Sequence, residues 1–158
     1  MTAIEVIRLI EADWRAFAAL RLRALADSVG TEDVQYMNEV AFTGTQWRRR
    51  LRAHAQFAAS DGHHLVGLIG AQRADAESIY LYSLWTDPAA RRRGVARVLL
   101  SAAVDWARDN RARTVTLRVD RANTAASGVY TELGFTVDES SPQKHSAAGE
   151  ITMTLVLN

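Results

Sequence analysis

The chain has no cysteine, which excludes disulfides and thiolate metal sites. It has a single lysine, Lys144, so nearly all of its basicity is arginine, and the net charge is only +1. Such a balance gives no general drive toward nucleic acid or membrane surfaces. No apolar run approaches the ~20 residues of a membrane span, and Met1–Ile10 lacks the layout of a secretion signal. A cytoplasmic protein is therefore expected. Repeats, linkers and low-complexity stretches are missing as well, so residues 1–158 are expected to form a single domain with one core. His63 and His64 are adjacent; on a strand they point to opposite faces and cannot chelate one metal together. His54 and His145 have no partner at ligand spacing, and no metal is expected.

What is present is an ordinary soluble composition, 48% hydrophobic and 23% charged. Within it Ser78–Ala107 has the clearest organisation. Ile79, Leu81 and Leu84 with Tyr80, Tyr82 and Trp85 supply the bulk of a buried strand, and Asp87-Pro88 stops it because proline cannot donate to a ladder. From Gly94 on, Val95, Val98, Leu99, Ala102, Ala103, Trp106 and Ala107 recur at helical spacing. Between strand and helix lies Arg91-Arg92-Arg93-Gly94-Val95-Ala96. The first turn of a helix offers N–H groups without intrahelical partners, the macrodipole adds partial positive charge, and Gly94 allows close backbone approach. An anion site of the phosphate-binding kind is expected there.

Upstream, Ala3–Ile10 suits a first strand and Glu11–Ala26 a helix, whose Arg15, Arg21 and Arg23 are read mostly as a solvated face. Asp27–Gly44 reads as a long irregular polar connection, the kind that tends to be functional. Thr45–Ala53 reads as a helix capped by Thr45 with Trp47 and Leu51 on one face. The Arg48-Arg49-Arg50 run fans around that helix rather than forming a nucleic-acid stripe. Asp61-Gly62 is a strong hairpin signal between strands Gln56–Ser60 and His63–Arg73. Downstream, Thr114–Val119 is a strand with Val115, Leu117 and Val119 turned inward. Thr124–Leu133 is a short helix closed by Gly134, Phe135–Val137 begins a strand, Glu139–Gly149 is a polar loop and Ile151–Leu157 is the last strand.

Two motifs coincide in this frame. Arg91, Gly94 and Ala96 fit [Gln/Arg]-x-x-Gly-x-[Gly/Ala]. One helix and one strand later come Asn123, Ala126 and Tyr130 in Asn-x-x-Ala-x-x-x-Tyr, followed by Leu133-Gly134-Phe135. Together, from about Ala58 to the C-terminus, the chain resembles the GNAT superfamily of acyl-CoA-dependent N-acyltransferases. The resemblance implies an α/β (α+β) fold: one twisted mixed sheet of six or seven strands, mostly antiparallel around a central parallel splayed pair, flanked by four helices. It implies acetyl-CoA as cosubstrate, pantetheine pairing with the backbone of Leu84, Trp85 and Thr86, and pyrophosphate on the amides of Arg92, Arg93, Gly94, Val95 and Ala96, with Arg91 or Arg93 reinforcing. Asn123 would contact the pantetheine chain, and Tyr130 would be the general acid for the leaving thiolate. Asn123 also suits a helix N-cap, and Tyr130 also suits a core aromatic.

The expected activity is N-acetylation of a primary amine, on a small molecule or a protein N-terminus, by direct transfer through a tetrahedral intermediate. Some relatives place a glutamate base five residues before the asparagine. Here that position is Arg118, which cannot be a base; Asp87, Glu77, Tyr82 or a water chain are the substitutes. The missing base motivates an alternative, an acyl-CoA sensor without turnover. A homodimer is expected, because many relatives pair and a last strand left on a sheet edge would need covering.

Overall fold

The structure, a computed structural model, describes residues 3–138 and 149–158. Seven strands form one sheet: β1 (Glu5–Leu9), β2 (Ala55–Ser60), β3 (Leu65–Arg73), β4 (Ser78–Thr86), β5 (Thr114–Asp120), β6 (Thr136–Val137) and β7 (Glu150–Val156). Their order is β1-β2-β3-β4-β5-β7-β6, with β4 and β5 parallel and the other neighbours antiparallel. Five α-helices accompany them among the described residues: α1 (Trp14–Ser28), α2 (Val34–Val40), α3 (Gly44–Ala53), α4 (Val95–Asp109) and α5 (Thr124–Glu132). The expected polar loop Glu139–Gly149 lies, but for Gly149, outside the described residues.

The chain forms two compact units. The first comprises Met1–Gly70 and Ser83–Ala103. Its core gathers Leu9, Phe17, Leu20, Ala24, Trp47, Leu51, Ala58, Leu68 and Trp85. Trp47 meets Phe17 and Phe42 edge to face, with centroids 5.5 and 5.1 Å apart, the geometry the ring quadrupoles favour. At Gly67 on β3 a Cβ would stand 2.6 Å from Val95 Cγ1 and 2.9 Å from Leu99 Cδ1, so only glycine lets the start of α4 seat on the strand. The second unit comprises Ala71–Tyr82 and Val104–Asn158. In it the ladders Tyr80↔Thr116, Thr116↔Thr154 and Arg118↔Thr152 fix one polar face. Ile79, Leu81, Val115, Leu117, Val119, Ile151 and Met153 fill the other, all buried.

Several expectations change. Asp27–Gly44 contains a helix, α2, that its composition hides: Val34, Met37 and Val40 are exposed while Glu39 is turned inward and 3% exposed. The α3 cap is Thr43, not Thr45: Thr43 Oγ1 accepts from Gln46 N at 3.3 Å and Gln46 Oε1 accepts from Thr43 N at 2.8 Å, a reciprocal capping box. His63 and His64 are in the β2–β3 turn rather than on a strand, both donating backbone N–H to Asp61 Oδ1 at 2.9 and 2.8 Å. On a turn the two side chains are not set on opposite faces by strand alternation. The α4 stripe is Val95, Leu99, Leu100, Ala103, Val104 and Ala107, while Val98, Ala102 and Trp106 are half-buried. Finally, β7 is flanked by β5 and β6, so the last strand is not an edge and no longer argues for a dimer.

Candidate active site

Within β4, Ser83 has a left-handed φ of +58°, a conformation that costs a non-glycine residue and needs support. Support comes from Arg21 on α1, which donates from Nη1 to Ser83 Oγ at 3.1 Å. Arg21 also donates from Nε and Nη2 to the two oxygens of Glu39, at 3.1 and 3.3 Å. Arg50 on α3 adds a 2.6 Å bond to Oε1 and Gln35 a 3.0 Å bond to Oε2. Burial alone would raise the Glu39 pKa, but the hydrogen bonds and charges of Arg21 and Arg50 hold it below its ordinary value. A buried carboxylate so paired is a structural anion, not a base.

After Ser83 come Leu84, Trp85 and Thr86, of which Trp85 is buried and the other two half-buried. The Trp85 indole N–H donates to Asp27 Oδ2 at 2.8 Å, and Arg23 lies 5.6 Å over its ring. Asp27 Oδ2 also holds Arg91 Nη2 at 3.4 Å. The end of α1 thus fixes Trp85, near the end of β4, and Arg91, the first residue of the arginine loop, together. The ladder to β5 has its last pair at Tyr80↔Thr116, and β4 runs on past it to Thr86.

In the loop, Arg91, Arg92, Arg93 and Gly94 are exposed, Val95 is buried and Ala96 half-buried. Arg92 and Gly94 have φ of +67° and +77°. Left-handed residues at a turn gather backbone N–H groups into an anion-binding concavity, and the α4 first turn adds amides with no carbonyl one turn back. A Cβ built on Gly94 meets nothing within 4 Å, so the space above the loop is open. These features fit a pyrophosphate.

In the second unit, Asn123 caps α5: its Oδ1 accepts from Ala126 N at 3.1 Å. The cap reading is therefore borne out for the side-chain oxygen, and Asn123 remains exposed. Tyr130 is 7% exposed and tilted against Phe135 at 6.1 Å, so it is a core aromatic by packing. Burial pushes its phenol above the ordinary value of 10.0. Gly134, at φ +103°, closes the helix as the sequence predicts.

The base substitutes fare unequally. Asp87 is engaged through both oxygens: Oδ2 holds Arg23 and Oδ1 accepts from Ala89 N at 2.9 Å. Glu77 precedes β4, at the opposite end from Leu84, and lies 3.6 Å from Arg113. Tyr82 stacks with Tyr80 at 6.1 Å. Arg118 is exposed, with its guanidinium 5.7 Å over the Tyr80 ring. The parts that sequence reasoning missed are Arg21, Glu39 and Asp27. An arginine on a polar helix face carries no sign that it will be turned inward, and their partners are far away in sequence.

Residues 11–135 match the acetyltransferase (GNAT) family. The chain is 39% identical to part of mycothiol acetyltransferase from Rhodococcus erythropolis, covering 47% of this chain and 25% of that protein. It is 28% identical to mycothiol acetyltransferase from Gordonia bronchialis over 74% of this chain and 44% of that one. It thus spans less than half the length of these curated relatives. Among solved structures it is similar to PaiA N-acetyltransferase from Thermoplasma acidophilum in complex with coenzyme A, with a TM-score of 0.74, 15% identity, and 98% and 99% of the two chains covered.

Proposed function

Because the chain belongs to the acetyltransferase (GNAT) family, we propose that it is an acetyl-CoA-dependent N-acetyltransferase acting on a primary amine. The observation that carries this reading is the loop Arg92–Ala96, with two left-handed residues and open space over Gly94 at the start of α4. The amides there would hold the pyrophosphate, with Arg91 or Arg93 adding charge. Arg91 would have to share itself between phosphate and Asp27. The backbone of Leu84, Trp85 and Thr86 would take the pantetheine arm as an added strand, supported by the β5 ladder ending at Tyr80. The free amide end of Asn123 would contact that arm. The family match runs through residues of both units, which supports reading 1–158 as one catalytic domain.

The chemistry follows from the groups present. A neutral amine attacks the thioester carbonyl; a backbone N–H near Trp85 takes the oxyanion; the C–S bond then breaks. Tyr130 is the proton source at sulfur. Its raised pKa keeps the phenol protonated, but full transfer to a thiolate of pKa ~8.5 is uphill. Tyr130 therefore hydrogen-bonds the developing sulfur charge and passes its proton as the C–S bond breaks, and the proton that the attacking nitrogen sheds returns through water to the tyrosinate, leaving amide, thiol and neutral phenol. No strong carboxylate base is needed, in keeping with Arg118 at the usual base position and with the engaged oxygens of Asp87. A cytoplasmic location is part of the proposal; among the described residues no helix is long and apolar enough to cross a membrane. A homodimer rests on family habit alone, and a monomer mass by light scattering would remove it.

The test is amine-dependent thiol release from acetyl-CoA across a mixed panel of amines, with cofactor affinity measured by calorimetry. Binding with amine-dependent release supports the transferase. Binding without release in any mixture favours the sensor, the reading that Arg118 in place of a base keeps alive. No binding removes both.

A further inference from the structure

The polar face of the second unit has a pattern that acetyl transfer alone does not explain. The ladders put Tyr80 beside Thr116, Thr116 beside Thr154, and Arg118 beside Thr152. Tyr80 and Tyr82 follow each other along the same face of β4, their rings 13° from parallel. The Arg118 guanidinium carbon lies 5.7 Å from the centre of the Tyr80 ring and, among the described residues, no carboxylate is in ion-pair contact with it. The N–H edge of a guanidinium matches a carboxylate in bidentate fashion. Two residues on, on the same face, Asp120 stands opposite Glu150, with Asp120 Oδ1 accepting from Ala122 N at 2.8 Å, so the face carries negative charge there. Along the strands the face therefore reads cation then anion over roughly 7 Å, with two tyrosine rings beside it. This is the complement of a small zwitterion carrying an apolar side chain.

We infer that this face is the acceptor subsite, and that it selects an amine that also carries a carboxylate, an amino acid or similar, held by Arg118 with its carbon skeleton on Tyr80 and Tyr82. The inference rests on the transferase reading for its purpose, though not for its test. Arg118 then has a use at the position where a base would otherwise be sought: it is a specificity-determining residue. The same charge repels polycationic acceptors, so polyamines should be poor ligands. Burial raises the Tyr80 pKa, against a smaller lowering by Arg118, and a neutral phenol suits an apolar contact surface.

Binding is the decisive measurement, because it needs no turnover. The full chain, with and without coenzyme A, is titrated with matched pairs: L-phenylalanine and phenethylamine, L-leucine and isoamylamine, L-lysine and cadaverine. Ring resonances of Tyr80 and Tyr82 and the Arg118 Nε–H signal report occupancy. The carboxylate member of at least one pair should bind at least tenfold more tightly than its decarboxylated partner. Arg118→Gln should erase that preference, a loss of roughly 10–100-fold for one charged hydrogen-bonded contact. Arg118 is exposed, so the variant should keep its melting temperature, which is checked alongside. Equal affinity within every pair, no saturable binding by any member, or a preference that survives Arg118→Gln would each overturn the inference. Thiol release is scored separately. Selective binding without release would sink the transferase and spare the subsite; release that ignores the carboxylate would do the reverse.

Discussion

Tyr130 is both a core aromatic, 7% exposed against Phe135, and the residue assigned the proton at sulfur. The two roles separate in a Tyr130→Phe variant, which keeps the ring and removes the hydroxyl. Turnover should fall roughly 10²–10⁴-fold, the worth of a positioned acid, with acetyl-CoA affinity little changed. A variant keeping more than about half the rate would remove Tyr130 from the mechanism. Because burial raises the phenol's pKa, its acid form persists to more alkaline pH than an exposed tyrosine's, so Tyr130 should add no alkaline limb to the rate profile below about pH 10. Glu39 gives the opposite sign. Its pKa is held below an ordinary value of 4.5, so its ion pairs add stability above that value and lose it as pH falls through the folded-state value. Melting temperature should drop in that acid window, and Glu39→Gln should flatten that part of the slope; an unchanged slope would mean the network contributes nothing.

Among the elements, the arginine loop and the β3 strand beneath α4 make separable predictions. Gly94→Glu places a carboxylate and bulk where the space is open, so acetyl-CoA affinity by calorimetry should fall severely with the fold intact. Gly67→Ala is different: its Cβ would press on Val95 and Leu99, which should cost roughly 1–3 kcal/mol of stability, the scale of an overpacked core. Equal melting temperatures for Gly67→Ala and the parent would show that α4 can shift freely. Most elements were legible because their periodicity is strong. β4 has the expected bounds, Thr114, Thr116 and Val115, Leu117, Val119 alternate as expected, and Trp47 and Leu51 are buried. α2 was not, because it is inside out: its valines and Met37 face solvent, and its acid is satisfied by arginines distant in sequence. Likewise the candidate loop was readable from its residues, and Asn123 and Tyr130 were picked out by their match to the family motif. The Ser83 reversal and its Arg21 support arise only when the helices pack, and no local pattern announces them.

For the molecule as a whole, the sheet order and family place this chain among the acetyltransferases, while it spans less than half of its curated relatives. The activity of 1–158 itself is therefore the central question. It is met most directly by incubating the chain with acetyl-CoA isotopically labelled in the acetyl group and an amine mixture rich in amino acids, then measuring label on amine nitrogen against free thiol. Labelled N-acetyl product and thiol should form in equal amounts, both absent without amine. Thiol released with no label on any amine, or neither product despite bound acetyl-CoA, would contradict the transferase reading.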